Sequence, residues 1–378
     1  MSDRIQISKQ AVKRERSRHS DAIIGCILGT AVGDALGLPY EGVSPQRARH
    51  LLGPPDRYRF VFGRGMISDD TEHTCMVAQS LIESCGNVDV FTKRFADRLR
   101  WWILALPAGV GKATARSGFK LWLGAKRENA GVFSAGNGPA MRAAIFGAAI
   151  DNVSTMLEMV RASSRTTHSD PKAEYGAVAV AMAAKHSRQS ETLDASSWLA
   201  QVVNAVGEDG SELTDLLCKA VESVGAGDKT MAFAESIGLA KGVTGYTYHT
   251  VPVAIHAWLS HPDDFRAAVT TAVSCGGDAD TTAAIVGGIV GARVGRDQIP
   301  DEWIDGIWES PRSVTWMTTL GERLSVSDFL RDPLPKGALT KANTMAPTVN
   351  PFAVFSRNLF FLFIVLLHGF RRLAPPYS

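Results

Sequence analysis

"GCILGTAVGDALG", Gly25–Gly37, spaces four glycines four residues apart: Gly25, Gly29, Gly33 and Gly37. In an α-helix that spacing puts all four on one face. A glycine inside a helix costs about 1 kcal/mol relative to alanine. Four on one stripe imply a compensating gain. A surface without side chains supplies it, because a neighbouring backbone or a ligand can then approach closely. A membrane helix that dimerises through GxxxG would use the same stripe. Asp34 and the short apolar length count against that reading. Pro39 stops the helix, and Glu41 follows on the exiting loop.

Outward from this helix, segments rich in Ala, Leu, Val and Met recur between turn residues. They predict helices over 21–38, 70–85, 90–105, 139–150, 172–186, 211–224, 231–241, 250–260, 264–275 and 281–294. Alternating strand patterns are nearly absent, and "RYRFVF" (57–62) is the best of them. The fold class is therefore all-α, a single compact multi-helix domain over residues 21–332. With 378 residues and 45% hydrophobic content the chain can bury a large core. A net charge of +2 implies no strongly charged partner. The five cysteines are odd in number and show no CxxC spacing, which favours a reduced, cytoplasmic protein over a disulfide or zinc framework. Residues 1–20 are polar and basic without an apolar signal region, and read as a solvated arm or frayed helix. Glu15 interrupts the basic run and no aromatics interleave it, so a nucleic-acid motif is not indicated.

After Asp332 the composition shifts. Residues 333–350 read as a linker rich in Pro, Thr, Asn and Lys. Residues 351–378 form a hydrophobic tail. Its uninterrupted apolar core, Leu359–Leu367, is too short to span a bilayer unaided. Three readings stay open: a helix docked on the protein itself or on a second subunit, an interfacial membrane helix, and a C-terminal anchor. Because the motifs described next all precede residue 293, the tail is expected to be dispensable for chemistry.

Two acidic clusters carry the chemistry. "ISDDTEHTCMVAQSL" (67–81) places Asp69, Asp70 and Thr71 before an apolar helical run. "GGDADTTAAIVGG" (276–288) places Asp278, Asp280 and Thr281 before another. Helix capping accounts for one acidic or hydroxyl acceptor at a helix mouth. It does not account for two carboxylates and a threonine in each. Four carboxylates brought together would form the hard oxygen cage that Mg²⁺ or Mn²⁺ requires. Two such ions could hold substrate hydroxyls and polarise a water.

The order "GCILGTAVGDALGLPYEG" (25–42), "SDDT" (68–71), "GNGPAMRAA" (136–144), "THSDP" (167–171), "GYTYHTVPVAIHAW" (245–258) and "GGDADTTAAIVGGIVGA" (276–292) resembles the ADP-ribosylglycohydrolases. The resemblance covers about Asp21 to Ala292. It implies an all-helical fold around a cleft holding two Mg²⁺ (or Mn²⁺) ions. It assigns metal ligation to Ser68, Asp69 and Asp70 on one side and to Asp278, Asp280 and Thr281 on the other. Glu41 matches the family's acidic residue on the gating loop and is the expected catalytic group. Gly136, Asn137, Gly138 and His168 match substrate-binding positions. The implied substrate is an ADP-ribosylated protein, nucleic acid or small molecule. Ser68 replaces a common threonine and keeps the hydroxyl. Where the family often has His-Pro, this chain has Ser169 and Asp170 between His168 and Pro171.

Other residues carry less. His73 lies one turn from Asp69 and is expected to pack or cap locally. His249, His256, Trp101 and Trp102 read as core residues. Two further functions compete with the hydrolase. Asp278, Asp280 and Thr282 satisfy the DxDxT pattern of haloacid-dehalogenase-type phosphatases, but that motif should end a parallel strand, and helix precedes it here. A non-catalytic ADP-ribose-binding or structural role is the other. Retention of every acidic residue favours the enzyme.

Overall fold

The computed structural model describes residues 2–327 and 345–371. Helix α1 (Ser2–Gly37) runs unbroken through the basic arm into the glycine stripe. After α2 (Pro45–Leu51) come α3 (Asp69–Ser84), α4 (Val88–Leu104) and α5 (Lys112–Trp122). The middle of the chain forms α6 (Gly138–Met141), α7 (Ala144–Ala149), α8 (Val153–Thr167), α9 (Pro171–Gln189), α10 (Ala195–Val206), α11 (Ser211–Gly225) and α12 (Thr230–Ser236). Then follow α13 (Thr247–Ser260), α14 (Phe265–Ser274), α15 (Ala279–Val294), α16 (Asp301–Gly306), α17 (Val314–Ser325) and α18 (Pro351–Arg371). Among the described residues there are isolated β-bridges but no strand. The all-α class holds.

The glycine stripe explains the centre of the fold. A Cβ on Gly29 would stand 2.1 Å from the carbonyl oxygen of Gly287, and one on Gly287 would stand 2.1 Å from that of Gly29. Gly25 meets Gly291, Gly33 meets Ala283 and Gly37 meets Ala279 in the same way. Helices α1 and α15 thus touch backbone to backbone along their length. The stripe serves a neighbouring helix, not a ligand. Around the pair, α15 packs on α9, α13 and α14, and α1 on α3, α7 and α17.

The expected strand at 57–62 is corrected. Tyr58 and Phe60 do point inward, which is the alternation seen in the sequence, but no neighbouring strand pairs with them. The Tyr58 hydroxyl donates to the Trp303 carbonyl at 2.7 Å, and Phe62 turns the chain with a left-handed backbone (φ 51°). The single helix expected over 139–150 is two, broken where the Arg142 side chain turns into the core. Helices α2, α5, α8, α10, α16 and α17 lie outside the expected ranges.

The second half of the expected linker is docked: the Pro347 and Thr348 carbonyls accept from Gln79 and Trp316. Residues 333–344 and 372–378 of the linker and tail lie outside the described residues. Helix α18 sits beside the loops that enter the cleft. Buried Arg357 pairs with Glu309 at 2.7 Å and donates to the Ile67 carbonyl, one residue before Ser68. His368 meets the Pro39 carbonyl at 3.1 Å, two residues before Glu41. Of the three readings of the tail, these contacts show the helix docked on the protein itself.

The central helix pair yields a direct test. Gly33→Ala gains about 1 kcal/mol of helix propensity, but its methyl group would overlap the Ala283 backbone, which cannot swing aside. Overpacking of this kind costs ~1–3 kcal/mol and more against backbone. The variant should melt at a lower temperature than the parent in a calorimetric scan. An equal or higher melting temperature would refute backbone packing at this position.

Candidate active site

The site begins with a carboxylate in the glycine helix. Asp34 on α1 is fully buried. Its Oδ2 accepts from the Ser68 amide at 2.8 Å, the Thr71 amide at 3.2 Å and the Thr71 hydroxyl at 2.5 Å. It therefore fixes the mouth of α3. Ser68 is the N-cap of α3, accepting from the Asp70 amide at 3.4 Å, and its hydroxyl lies 3.1 Å from Asp70 Oδ2. The capping role is thus taken by one hydroxyl, leaving the carboxylates of Asp69 and Asp70 for other work.

The mouth of α15 stands opposite. Asp278 occupies its N-cap position without a side-chain capping bond. Its Oδ2 instead accepts from Asn137 Nδ2 at 2.6 Å. Gly276 and Gly277 adopt left-handed backbone (φ 63° and 74°), and Gly277 exchanges hydrogen bonds with Val43 and Gly42. That knot brings the loop after Glu41 against the second acidic cluster. The two mouths meet where the Thr281 hydroxyl donates to Asp70 Oδ2 at 3.3 Å.

The resulting cleft has a volume of about 570 Å³. Glu41, Asp69, Gly136, Asn137, Gly138, His168, Asp278, Asp280 and Thr281 line it, and Ser68 and Asp70 lie just beneath. The structure therefore brings together all eleven sequence-predicted residues. Glu41 is exposed at the rim, near enough that its charge pushes the pKa values of Asp69 and Asp280 up. His73 is not in the cleft. It is buried edge-on to Trp102 and beside Arg142, as a core residue. His256 and Trp102 are buried too, whereas Trp101 is largely exposed and corrects its reading as core.

The electrostatics are costly. Burial, reinforced by the neighbouring charges, holds Asp69, Asp70 and Asp280 well above the usual carboxylate range. Burial also raises Asp278, against the hydrogen bond from Asn137, and lifts Asp34 to about 6 against the bonds from Thr71 and Ser68. One oxygen each of Asp34, Asp70 and Asp280 is buried without a hydrogen-bond partner. Carboxylate and hydroxyl oxygens arranged this way fit a hard divalent cation in donor chemistry. Among the described residues no three acidic, histidine or cysteine groups stand close enough to enclose one ion as they are. The two mouths face each other without closing a cage.

The opposite wall belongs to the 136–142 loop. His168 is buried, and burial lowers its ring to about 3, so it is neutral near pH 7. A Cβ on Gly138 would lie 2.9 Å from the His168 ring, and one on Gly136 3.1 Å from it, so only glycines let the loop rest on the imidazole. The departure at 169–170 has a structural reason: Asp170 caps α9, accepting from the Lys172 amide at 2.9 Å.

Several functional candidates escaped the sequence reading. Asp34 was visible as a carboxylate inside an apolar glycine helix. Arg142, inside the "GNGPAMRAA" stretch, is fully buried and donates to the Gly138 carbonyl at 2.8 Å, the Ser163 carbonyl at 3.0 Å and the Thr167 hydroxyl at 2.7 Å. Lys112 and Lys241 line the same cleft as the acidic residues. The "GVGK" run (109–112) marks Lys112 in the sequence. Arg142→Met should cost about 1–3 kcal/mol by leaving buried acceptors unpaired. Urea unfolding measures it, and an unchanged midpoint would remove Arg142 as the support of this wall.

The family described as ADP-ribosylglycohydrolase matches residues 15–333. An uncharacterized protein of Archaeoglobus fulgidus is 34% identical over 292 residues, covering 75% of this chain and 90% of its own. The ADP-ribosyl-[dinitrogen reductase] glycohydrolase of Rhodospirillum rubrum is 26% identical over 296 residues, with 75% and 89% covered. The ADP-ribosylhydrolase ARH3 of Gallus gallus is 25% identical over 320 residues, with 74% and 87% covered. Among solved structures, an ADP-ribosylglycohydrolase-related protein complex aligns with a TM-score of 0.59 at 25% identity, covering 83% of this chain and 99% of that one. Since the match spans every residue that lines the cleft, the chain belongs to the ADP-ribosylglycohydrolase family.

Proposed function

We propose that the protein is a divalent-metal-dependent hydrolase that releases ADP-ribose from a conjugate by cleaving the glycosidic bond at C1 of the terminal ribose. The observation that carries this reading is the pair of opposed helix mouths, joined by the Thr281–Asp70 contact, with carboxylate oxygens left over on both sides. Ser68, Asp69 and Asp70 would hold one side of a binuclear Mg²⁺ or Mn²⁺ site, and Asp278, Asp280 and Thr281 the other. Bound there, such ions orient ribose hydroxyls and polarise a water.

The chain's own residues supply the rest. Neutral His168 and the Gly136–Gly138 backbone give an uncharged wall for the ribose. Asn137, fixed between Thr250 and Asp278, presents its amide to the same space. Lys112, at the first turn of α5, and Lys241 place positive charge where a diphosphate would lie, and the α5 N-terminus adds its amides. Water replaces the leaving group at C1 through an oxocarbenium-like transition state. Glu41, on the open rim, takes the proton from water and returns one to the departing atom. Its exposure also leaves room for acceptors of different size, so the substrate is a modified protein, nucleic acid or small molecule. The DxDxT phosphatase reading falls, since Asp278 begins a helix of an all-α fold instead of ending a parallel strand.

Purified protein assayed on a panel of ADP-ribosylated substrates with Mg²⁺, Mn²⁺ or chelator tests the reaction. Added metal should raise the melting temperature, because ions bind only the folded site, and Asp280→Asn should abolish that rise together with turnover. Melts that ignore both ions, alongside full activity in chelator, would reject the metal.

Glu41→Gln should lower kcat by about 10²–10⁴-fold, the usual contribution of a positioned carboxylate, while the metal-dependent melting rise persists. Near-normal turnover would exclude proton transfer by Glu41, and loss of the rise would make it a ligand.

A further inference from the structure

Helix α18 is apolar on both sides, unlike an ordinary surface helix, and its inner side packs Phe361 and Ile364 against Leu38, Phe60 and Met66. Its inward stripe contains Val354, Arg357, Asn358, Phe361, Ile364 and His368, and so holds its polar anchors. Arg357 is committed to Glu309 and the Ile67 carbonyl, and Asn358 donates to the Ala105 carbonyl at 2.8 Å. The outward stripe is Phe352, Phe355, Leu359, Phe363, Leu366 and Phe370, spaced three or four residues apart. Phe352 is 84% exposed, Phe363 62% and Phe370 70%. Exposed Trp308 stands edge-on to Phe360 beside it, and Phe62, 95% exposed, lies two residues from Phe60, whose ring packs on Phe361 and His368. A contiguous apolar surface of this kind marks an interaction site.

Charge identifies the occupant. A cleft of about 580 Å³ opens beside the C-terminal half of α18, with His368 on its wall. Arg49, Arg57, Arg59 and His50 line it as well; among the described residues no acidic side chain lines it, although Asp56 pairs with Arg59 at 3.0 Å beside it. Helix α18 itself contains no acidic residue. An apolar helix face next to a cationic cleft matches the layout of an anionic phospholipid surface, with acyl chains beside phosphate headgroups. A second copy of the chain would bring an equal positive charge to the cleft. Among the described side chains the outward side carries Ser356 and Gly369 as its small residues, thirteen positions apart and not four, so they form no small-xxx-small seam for close helix approach.

We propose that α18 and the Arg49–Arg57–Arg59 cleft form a docking surface for an anionic phospholipid bilayer, on which the protein lies with α18 in the interfacial plane. The helix is long and apolar enough to cross a membrane. Its inward polar anchors keep it on the protein, so it lies on the bilayer and does not span it. Docking would hold the cleft-entry loops at Ile67 and Pro39 next to the membrane, through Arg357 and His368.

Co-sedimentation of the full chain with phosphatidylcholine vesicles, with and without 30% phosphatidylglycerol (about that fraction suffices to make the surface anionic), tests this. Binding should appear on the anionic vesicles and weaken as salt rises. Arg57→Ala should reduce affinity about fivefold, the value of one basic side chain near such a surface. Phe363→Glu combined with Leu367→Glu should reduce it more than tenfold. Both positions are exposed, so melting temperature and turnover on a soluble substrate should stay at parental values. Absence of binding to anionic vesicles overturns the proposal. So does a concentration-dependent dimer that the double glutamate variant dissolves, or resistance to alkaline extraction, which would mean a spanning helix.

Discussion

The contact on which the rest depends is the backbone-to-backbone seam between α1 and α15. Each glycine on one side meets a carbonyl of the other at a distance that no side chain could share. Helices that close bring their termini into fixed register, so Gly37 lies against Ala279 and Asp280. The mouth of α15 is thereby placed beside the exit of α1, and Glu41 beside Asp280. Asp34, one residue after Gly33 on the same helix, pins the mouth of α3 from the other side. One seam positions three elements of the cleft.

That seam carries an electrostatic cost. It drives several carboxylates into a buried space where they push one another's pKa values up, and it leaves three of their oxygens without partners. Buried, uncompensated carboxylates destabilise a fold by their lost hydration. The large apolar core around α9, α13 and α15 offsets this. The strain sits where ligands of opposite charge would relieve it, which is how functional sites commonly relate to the stability of their scaffolds.

The same logic of buried charge ties the periphery to the centre. Glu72 on α3 accepts from Arg312 at 2.5 Å and from Trp102 at 2.6 Å, and Glu309 holds Arg357 of α18. Removing one partner of such a pair strands the other, at about 3–5 kcal/mol. Helix α18 is therefore fastened by polar bonds on its inner side, which leaves its outer apolar side exposed. Fastened this way, it touches the segments just before Ser68 and Glu41.

Local sequence determined the helical class, the glycine stripe, the two acid-and-hydroxyl helix starts and the Asn137 loop, because each is written in spacing along one element. The residues named for the cleft were legible because their motifs were, although nothing in the spacing required them to meet. Tertiary structure alone decided what covers the stripe: α15, not a ligand. Asp34 and Arg142 act across sequence gaps of 34 and 21 residues, to Ser68 and Ser163, and no local pattern encodes such bonds. The alternation in "RYRFVF" was real, but a strand needs a neighbour, and the fold offers none. The tail shows the limit most clearly. Its composition proclaimed an apolar helix, yet which side faces the protein depended on where Glu309 and the Ile67 carbonyl stood, because a buried arginine goes to its partners and turns the helix with it.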